Sequence, residues 1–511
     1  MANVEIPLVS SMNLSDCKEV SHIWEIFKEI TQIPRPSGNE DQIRQFAKEF
    51  AIKNRVCFEE DNVGNLVIYV PGNKGYENAD TTILQAHMDM VAVPKGEEGP
   101  EKKPVLCDLV QDEKKDVYIQ ARKTSLGADN GIGVAMALSQ ITDKTAPRGP
   151  LEILLTVGEE TGMEGAKNLD VSLLHGKYLI NLDNEDVDGI CVGCAGGVRA
   201  KMKMPVQRVT KPSEYDRVVE IEVSGLEGGH SGIDINKKRL NAITTLGEIL
   251  QLITPECLLI GIRGGKGYNV IPSQAQASVL SAANYVETIQ NAAKRIKRNL
   301  SAELPGTDTG LKITCRSYDA RQLPTKPMSQ DNSVSVMIAL TQIKNGVLSQ
   351  VPAGELYNQK PLPRTSRNIG EIETRFDYVE IRMMDRGMHD VDLAKEEEKL
   401  RGISEMLEVE YSKVGEYPAW TPNLSGSRLF QMIQTAYRER RGLDPRVLVV
   451  HAGLECSLIG KKLPGLDMIS YGPTIENAHT VNERLKVNSV ETAYKILKRT
   501  LVTIAKDSKK K

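Results

Sequence analysis

The sequence predicts an α/β fold interrupted in its middle by a long stretch of α+β texture. Three observations carry that prediction. Up to about residue 197, the apolar runs NLVIYV, TTILQAH, LEILLTV and KYLINLD alternate with helical stretches, as buried strands of an α/β sheet do. After GCAGGVRA the strands turn half-exposed, as in RVVEIEVSG, QASVLSA, LKITCRSY and DYVEIRMM, which is the pattern of an antiparallel sheet with one wet face. From about Tyr417 apolar strands return as RVLVVHA and LDMISYG, and a helix near 489–506 closes the chain.

The elements follow in order. Residues 15–33 predict an amphipathic helix, with Ser15 as its cap and Val20, Ile23, Phe27 and Ile30 at helical spacing. GADNGIGVAMALSQI starts on glycines and continues as a good helix former between the second and third apolar strands. In the middle stretch, helices are expected at 237–253, 284–301 and 331–343. A length of 511 residues exceeds what one core usually organises, so at least two domains are expected.

Composition narrows the function classes. A net charge of −3 argues against a nucleic-acid-seeking or anionic-membrane-seeking surface, and Lys509, Lys510 and Lys511 read as a solvated tail. The N-terminus lacks a basic segment followed by a long apolar one, and no stretch approaches the ~18 apolar residues of a spanning helix. A soluble, cytoplasmic protein is therefore expected, with neither nucleic acid nor membrane among its partners. Eight scattered cysteines suit reduced thiols better than a disulfide framework. The close pair Cys191 and Cys194 has no second pair at zinc-ribbon spacing.

Four patterns fall at or just after predicted strand ends: His87-Met88-Asp89, Asp129 in LGADNG, Glu159-Glu160, and Asp183. In open α/β sheets, sites form beyond the carboxyl ends of strands, so these side chains can converge. Imidazole plus carboxylates suits zinc, manganese or cobalt. Asp89, two residues after His87, is placed to accept its second ring N–H. Two ions about 3.5–4 Å apart need roughly five ligands with one bridging. His87, Asp129, Glu160 and Asp183 supply acids and one imidazole, and His479 in GPTIENAHTVNE is the candidate for the second nitrogen. Glu159 stands beside a ligand without needing to be one, and suits a general base. Taken singly, Asp129 reads as a helix cap, the glutamates as a solvated turn and each histidine as structural. The joint pattern favours the metal site.

LQAHMDMVAVP, SLGADNGIGVAMAL, GEETGMEGA, NLDNED, GGHSGIDI, HAGLECSLIG and GPTIENAHTVNERL together resemble the co-catalytic zinc metallopeptidases that include carnosinases, aminoacylases, carboxypeptidase G and peptidase T. Within them they resemble the aminoacyl-histidine dipeptidase branch, also called cytosolic non-specific dipeptidase. The resemblance spans nearly the whole chain. It implies a zinc-aminopeptidase-like catalytic domain with a central mixed sheet, formed by 1–197 and 414–511, and an inserted α+β lid at 198–413. Compact members have a lid about half this size, used for dimerisation, so a homodimer is among the implied partners.

The resemblance also implies roles. His87 and Asp183 would hold one zinc, Glu160 and His479 the other, and Asp129 would bridge, with manganese or cobalt as alternatives. Glu159 would be the base and Asp89 the orienting group. His230 in GGHSG would stabilise the oxyanion, although a histidine at a glycine turn can equally be structural. Asn269 in GGKGYNVIPSQA would contact substrate; that stretch lacks the GK[ST] ending and following helix of a phosphate loop. Arg386 in MMDRGMHD would hold the substrate's carboxylate by a bidentate fork. Arg382 is its rival, and Gly387 stands where the family carries serine. Glu455 in HAGLECS would lie near the substrate's amino group or only shape the turn that also contains His451. His22, His175 and His389 read as structural or surface residues. The implied activity is hydrolysis of dipeptides, Xaa-His among the candidates. An N-acyl-amino-acid or aminobenzoyl-glutamate amidohydrolase is the rival within hydrolases, and a non-catalytic binding protein the rival outside them.

Overall fold

The computed structural model describes residues 19–304, 306–323, 325–352 and 362–510. The chain divides into two compact units: one runs up to Gly193 and takes in Pro422–Val449 and the residues from Leu454 on, and the other comprises Cys194–Thr421 with Val450–Gly453. The strands Gly196–Pro205 and Glu410–Tyr417 pair with each other across the expected boundaries near 197 and 413, so both lie in the second unit.

The first unit is built on an eight-stranded mixed sheet. Its order is Cys57–Glu60, Leu66–Val70, Leu151–Thr156, Thr82–His87, Tyr178–Asn181, Asp467–Ser470, Gly189–Cys194 and Arg446–Val450. Thr82–His87 runs parallel to both Leu151–Thr156 and Tyr178–Asn181, and Asp467–Ser470 runs parallel to Tyr178–Asn181. Every residue of the first three of these strands is buried. That is why they read as continuous apolar runs and not as alternations. The helix Ser21–Thr31 buries Ile23, Trp24, Phe27 and Ile30 and packs on Ala128–Thr142. It starts from Val20 without a side-chain cap; Ser15 lies outside the described residues. A second, four-stranded sheet joins Ile475–Glu476, Arg484–Lys486, Val117–Ala121 and Cys107–Gln111. Cys107–Gln111 is mostly half-buried and Val117–Ala121 buries Tyr118, Ile119 and Ala121; neither is among the strands expected from the sequence.

The second unit carries a nine-stranded sheet whose pairings are all antiparallel. Arg217–Ser224 alternates between buried and half-exposed positions, as RVVEIEVS suggests. The buried faces of Val219, Ile221, Val279 and Ile381 meet Ile243, Leu246 and Ile249 of the helix Ala242–Ile253. Asn241 caps that helix by accepting from the Ile243 and Thr244 N–H groups. Among the described residues, no helix is long and apolar enough to cross a membrane, and none of the seven described cysteines forms a disulfide.

Candidate metal centre and the polar cluster of the second unit

The register of the parallel strands brings the charged ends together. His87 ends its strand opposite Thr156, and the Leu151–Thr156 strand leads directly into Glu159 and Glu160. Tyr178–Asn181, on the other side of His87's strand, leads into Asp183. Asp129 enters from the start of the Ala128–Thr142 helix, where it and Asn130 have non-helical backbone angles. Its carboxylate does not cap the helix. One oxygen lies 3.0 Å from His87 Nε2 and the other 3.0 Å from His479 Nε2. His479 comes from the loop between Ile475–Glu476 and Arg484–Lys486.

Two donor groups share Asp129. His87, Asp129 and Asp183 form one, with His87 Nε2 3.3 Å from Asp183 Oδ1. Asp129, Glu160 and His479 form the other, with His479 Nε2 2.9 Å from Glu160 Oε1. A third group joins His87 to Glu159 and Glu160. Within each group the donor atoms lie within 4.8 Å of one another. Mixed imidazole and carboxylate donors around a shared acid fit two divalent ions. The fit rests on the chemistry and convergence of these donors.

The surroundings hold this arrangement. Asp89 is fully buried and accepts from Ser37 Oγ at 2.7 Å, from the Glu159 N–H at 3.1 Å and from the Glu160 N–H at 3.2 Å. Its Oδ1 also lies 3.3 Å from His87 Nδ1. One carboxylate thus orients a histidine and both glutamates. Arg35, 2% exposed, donates to the carbonyls of Met88 and Asp89 at 2.8 Å each and to that of Gly127. Gly127 has φ +70°, and a Cβ there would stand 2.7 Å from Arg35 Nη2, so glycine is required on both counts. Glu483 accepts from the Leu126, Gly127 and Asp129 N–H groups at 2.7, 2.9 and 3.2 Å. Beneath His87, Glu455 Oε2 accepts from Gln85 Nε2 at 2.5 Å and from Thr156 Oγ1 at 2.8 Å.

Electrostatics divides the acids into two sets. Burial raises the pKa of Glu159 well above the ordinary value, with Asp183 and Glu160 adding to it. Burial also raises Glu160 and Asp183, and pushes Glu455 up to about 7. Burial works in the same direction on Asp89 and Asp129, but their partners prevail. The His87 ring brings Asp89 down to about 2, and the two histidines lower Asp129. In turn, the Asp129 and Glu160 carboxylates, accepting from the His479 ring, raise its pKa to about 11.

Arg35 and Glu483 were missed in the sequence. Arg35 gives no signal of spacing; Glu483 lies four residues after His479 in a motif singled out for the histidine alone. Among the described residues, His22, His175, His389, Cys191 and Cys194 belong to no metal-holding group. His22 bonds Tyr494 at 3.2 Å, His175 is largely exposed beside Glu152, and His389 bonds Thr421 at 3.3 Å.

Within the second unit, His230 lies on a two-residue strand paired with Val270–Ile271, and the Ser231 N–H donates to the Asn269 carbonyl at 2.8 Å. His230 and Asn269 are therefore neighbours on one small scaffold. Asn269 Oδ1 is buried without a partner. The two candidate arginines differ. Arg382 is bonded to Glu380 at 2.7 Å and to Glu371 at 3.0 Å, whereas Arg386 is buried and bonded through Nη1 to the Tyr417 hydroxyl at 2.5 Å. At Gly387 a Cβ would stand 2.9 Å from Leu393 Cγ, which leaves no room for a serine.

The profile described as "Peptidase family M20/M25/M40" matches residues 83–503, the stretch that contains every residue of the metal centre. The chain belongs to this family. It is 32% identical over 478 residues to the cytosol non-specific dipeptidase of Escherichia coli (strain K12), covering 92% of this chain and 94% of that protein. The solved structure of an aminoacylhistidine dipeptidase from Vibrio alginolyticus superposes with a TM-score of 0.79 at 30% identity, covering 94% of this chain and 96% of that one. An aminopeptidase PepT from Bacillus cereus shares the fold at 18% identity, with a TM-score of 0.52 and coverage of 95% and 98%.

Proposed function

We propose that this chain is a metal-dependent dipeptidase of the cytoplasm, with zinc in its two metal positions. The observation that carries the reading is the pair of donor groups sharing Asp129, with Glu159 beside them. The dipeptidase relatives, matched over more than nine-tenths of both chains, support dipeptides as the substrate class.

His87, Asp129 and Asp183 would hold one ion, and Asp129, Glu160 and His479 the other. Such ions, when bound, acidify a water and polarise the scissile carbonyl. Glu159 takes the proton from the attacking water and returns it to the leaving amine, a transfer its buried and easily protonated carboxyl suits. Asp89 keeps His87 in the tautomer that presents Nε2 outward. We assign His230 to the oxyanion, Asn269 to substrate contact and Arg386 to the free carboxylate. Arg382 is discarded for that last task because two glutamates already neutralise it.

The test is amino-acid release by metal-stripped protein reloaded with zinc, manganese or cobalt. The panel is a set of dipeptides, one tripeptide and one N-acetyl amino acid, with Glu159→Ala as control. Metal-dependent cleavage of dipeptides, lost in the variant, is expected. Cleavage of the acetylated substrate instead would move the protein to the amidohydrolases.

A further inference from the structure

The second unit contains buried nitrogens that its own fold leaves unsatisfied. Among the described residues, Arg386 is 3% exposed and its Nε has no partner, and His451 is 5% exposed and its Nδ1 has none. A buried donor without an acceptor destabilises a fold, so native folds rarely keep two together without a use. These two do lie together. A Cβ built on Gly232 would stand 2.4 Å from the His451 carbonyl, 3.1 Å from His230 Cε1 and 3.2 Å from Arg386 Nε. Glycine at 232 is what lets the backbone pack this closely against His451, His230 and Arg386.

The groups around Gly232 are fixed. Tyr417 holds Arg386 Nη1, and Ser366 stands directly across the ladder from Arg386. Ser366 Oγ lies 2.7 Å from His451 Nε2. The neighbouring Arg367 is satisfied by a bidentate pair with Asp385 at 2.7 and 2.6 Å, plus the Glu396 carbonyl. Among the described residues Arg386 bonds a phenol and no carboxylate, so its charge is left for something else. Burial, and then the Arg386 charge, bring the His451 pKa down to about 3. The ring is neutral at physiological pH and carries one hydrogen. When the Ser366 hydroxyl donates to Nε2, that hydrogen sits on Nδ1.

We propose that His451 is a substrate-contacting residue, its Nδ1–H donating with Arg386 Nε–H to the free carboxylate of the dipeptide, and that Ser366 sets its tautomer. The inference rests on the dipeptidase reading and extends it. A cation alone attracts any anion, whereas a second, uncharged donor beside it fixes the orientation of a carboxylate and distinguishes it from a carboxamide.

The experiment compares kcat/KM for a dipeptide and its C-terminal amide in metal-loaded enzyme. The variants are His451→Asn, whose amide nitrogen can take the place of Nδ1, and His451→Gln, whose amide reaches Ser366 and leaves the Nδ1 position empty. The expected acid-to-amide preference falls about tenfold or more in His451→Gln, through KM, and stays within about threefold of wild type in His451→Asn. Equal loss in both variants, the reverse order, or an unchanged ratio in His451→Gln would overturn the proposal. Wild-type enzyme inactive on every dipeptide would instead bring down the dipeptidase reading, so the two failures are distinguishable.

Discussion

Replacing Asp89 by asparagine changes almost no volume and removes one charge, so its effect is readable from the hydrogen bonds. Oδ1 serves the Glu159 N–H and faces His87 Nδ1; Oδ2 serves the Ser37 hydroxyl and the Glu160 N–H. An asparagine has one acceptor oxygen. If its amide nitrogen takes the Oδ2 place, Ser37 can rotate and accept, but the Glu160 N–H is left facing a donor. If it takes the Oδ1 place, the Glu159 N–H is orphaned and His87 faces a donor, although the Asp89 carbonyl still lies 3.1 Å from Nδ1. Either way one buried N–H loses its acceptor, at about 1–3 kcal/mol, and one glutamate or the histidine is misdirected. Groups that orient metal ligands typically govern about 10- to 100-fold in affinity or activity. Asp89→Asn should therefore weaken metal binding within that range and lower kcat at saturating metal. Competition with a chromogenic chelator measures the first, and steady-state kinetics on a dipeptide the second. Affinity and kcat both within about twofold of wild type would refute the claim that Asp89 sets the geometry.

Glu159→Gln should lower kcat by about 10²–10⁴-fold while retaining bound metal, checked by elemental analysis beside the rate. Stripping the metals should lower the melting temperature, reloading should restore it, and binding should release protons into a weakly buffered solution, because Glu159, Glu160 and Asp183 are held toward their protonated forms by burial. Asp143 accepts from the Thr145 N–H at 2.8 Å, from Lys498 at 2.8 Å and from the Tyr494 hydroxyl, and these partners lower its pKa against burial. A depressed carboxylate stabilises the fold above its ordinary value of 3.8 and loses that contribution as pH falls below it, so Asp143→Asn should cost about 1–3 kcal/mol at pH 7 and progressively less in acid, read from denaturant midpoints.

Much of the metal centre was legible because the chain writes it at strand ends. A strand buried on both faces reads as an unbroken apolar run, so a histidine or acid immediately after it stands out, and a parallel sheet gathers such ends on one edge. His87, Glu159, Glu160 and Asp183 were visible for that reason. Arg35 and Glu483 were not, because each is satisfied by backbone groups from segments distant in sequence. Their function is a property of the closed fold, with no local period to betray it. The Cys107–Gln111 and Val117–Ala121 strands escaped because CDLVQ and VYIQA mix polar and apolar residues without the unbroken apolar run or clean alternation that marks a strand. Likewise, HAGLECS reads as one turn, yet its halves separate. Val450–Gly453 belongs with the second unit and Glu455 with the first.

Neighbouring carboxylates of the cluster are held in opposite ways. Asp89 and Asp129 are held toward their charged forms because histidines face them. Glu159 lies three residues past the end of the buried strand Leu151–Thr156 and follows the opposite course: burial and neighbouring acids favour its protonated form. A proton carrier is served by that bias, but Glu160 and Asp183 share it, so position and not pKa distinguishes Glu159 from them. Sequence adjacency makes Glu159 and Glu160 look interchangeable, but only Glu160 faces His479, at 2.9 Å. Exchanging their roles would require turning the loop whose two N–H groups Asp89 holds. The same buried aspartate that lies beside His87 therefore also holds the loop that turns Glu160, and not Glu159, toward His479.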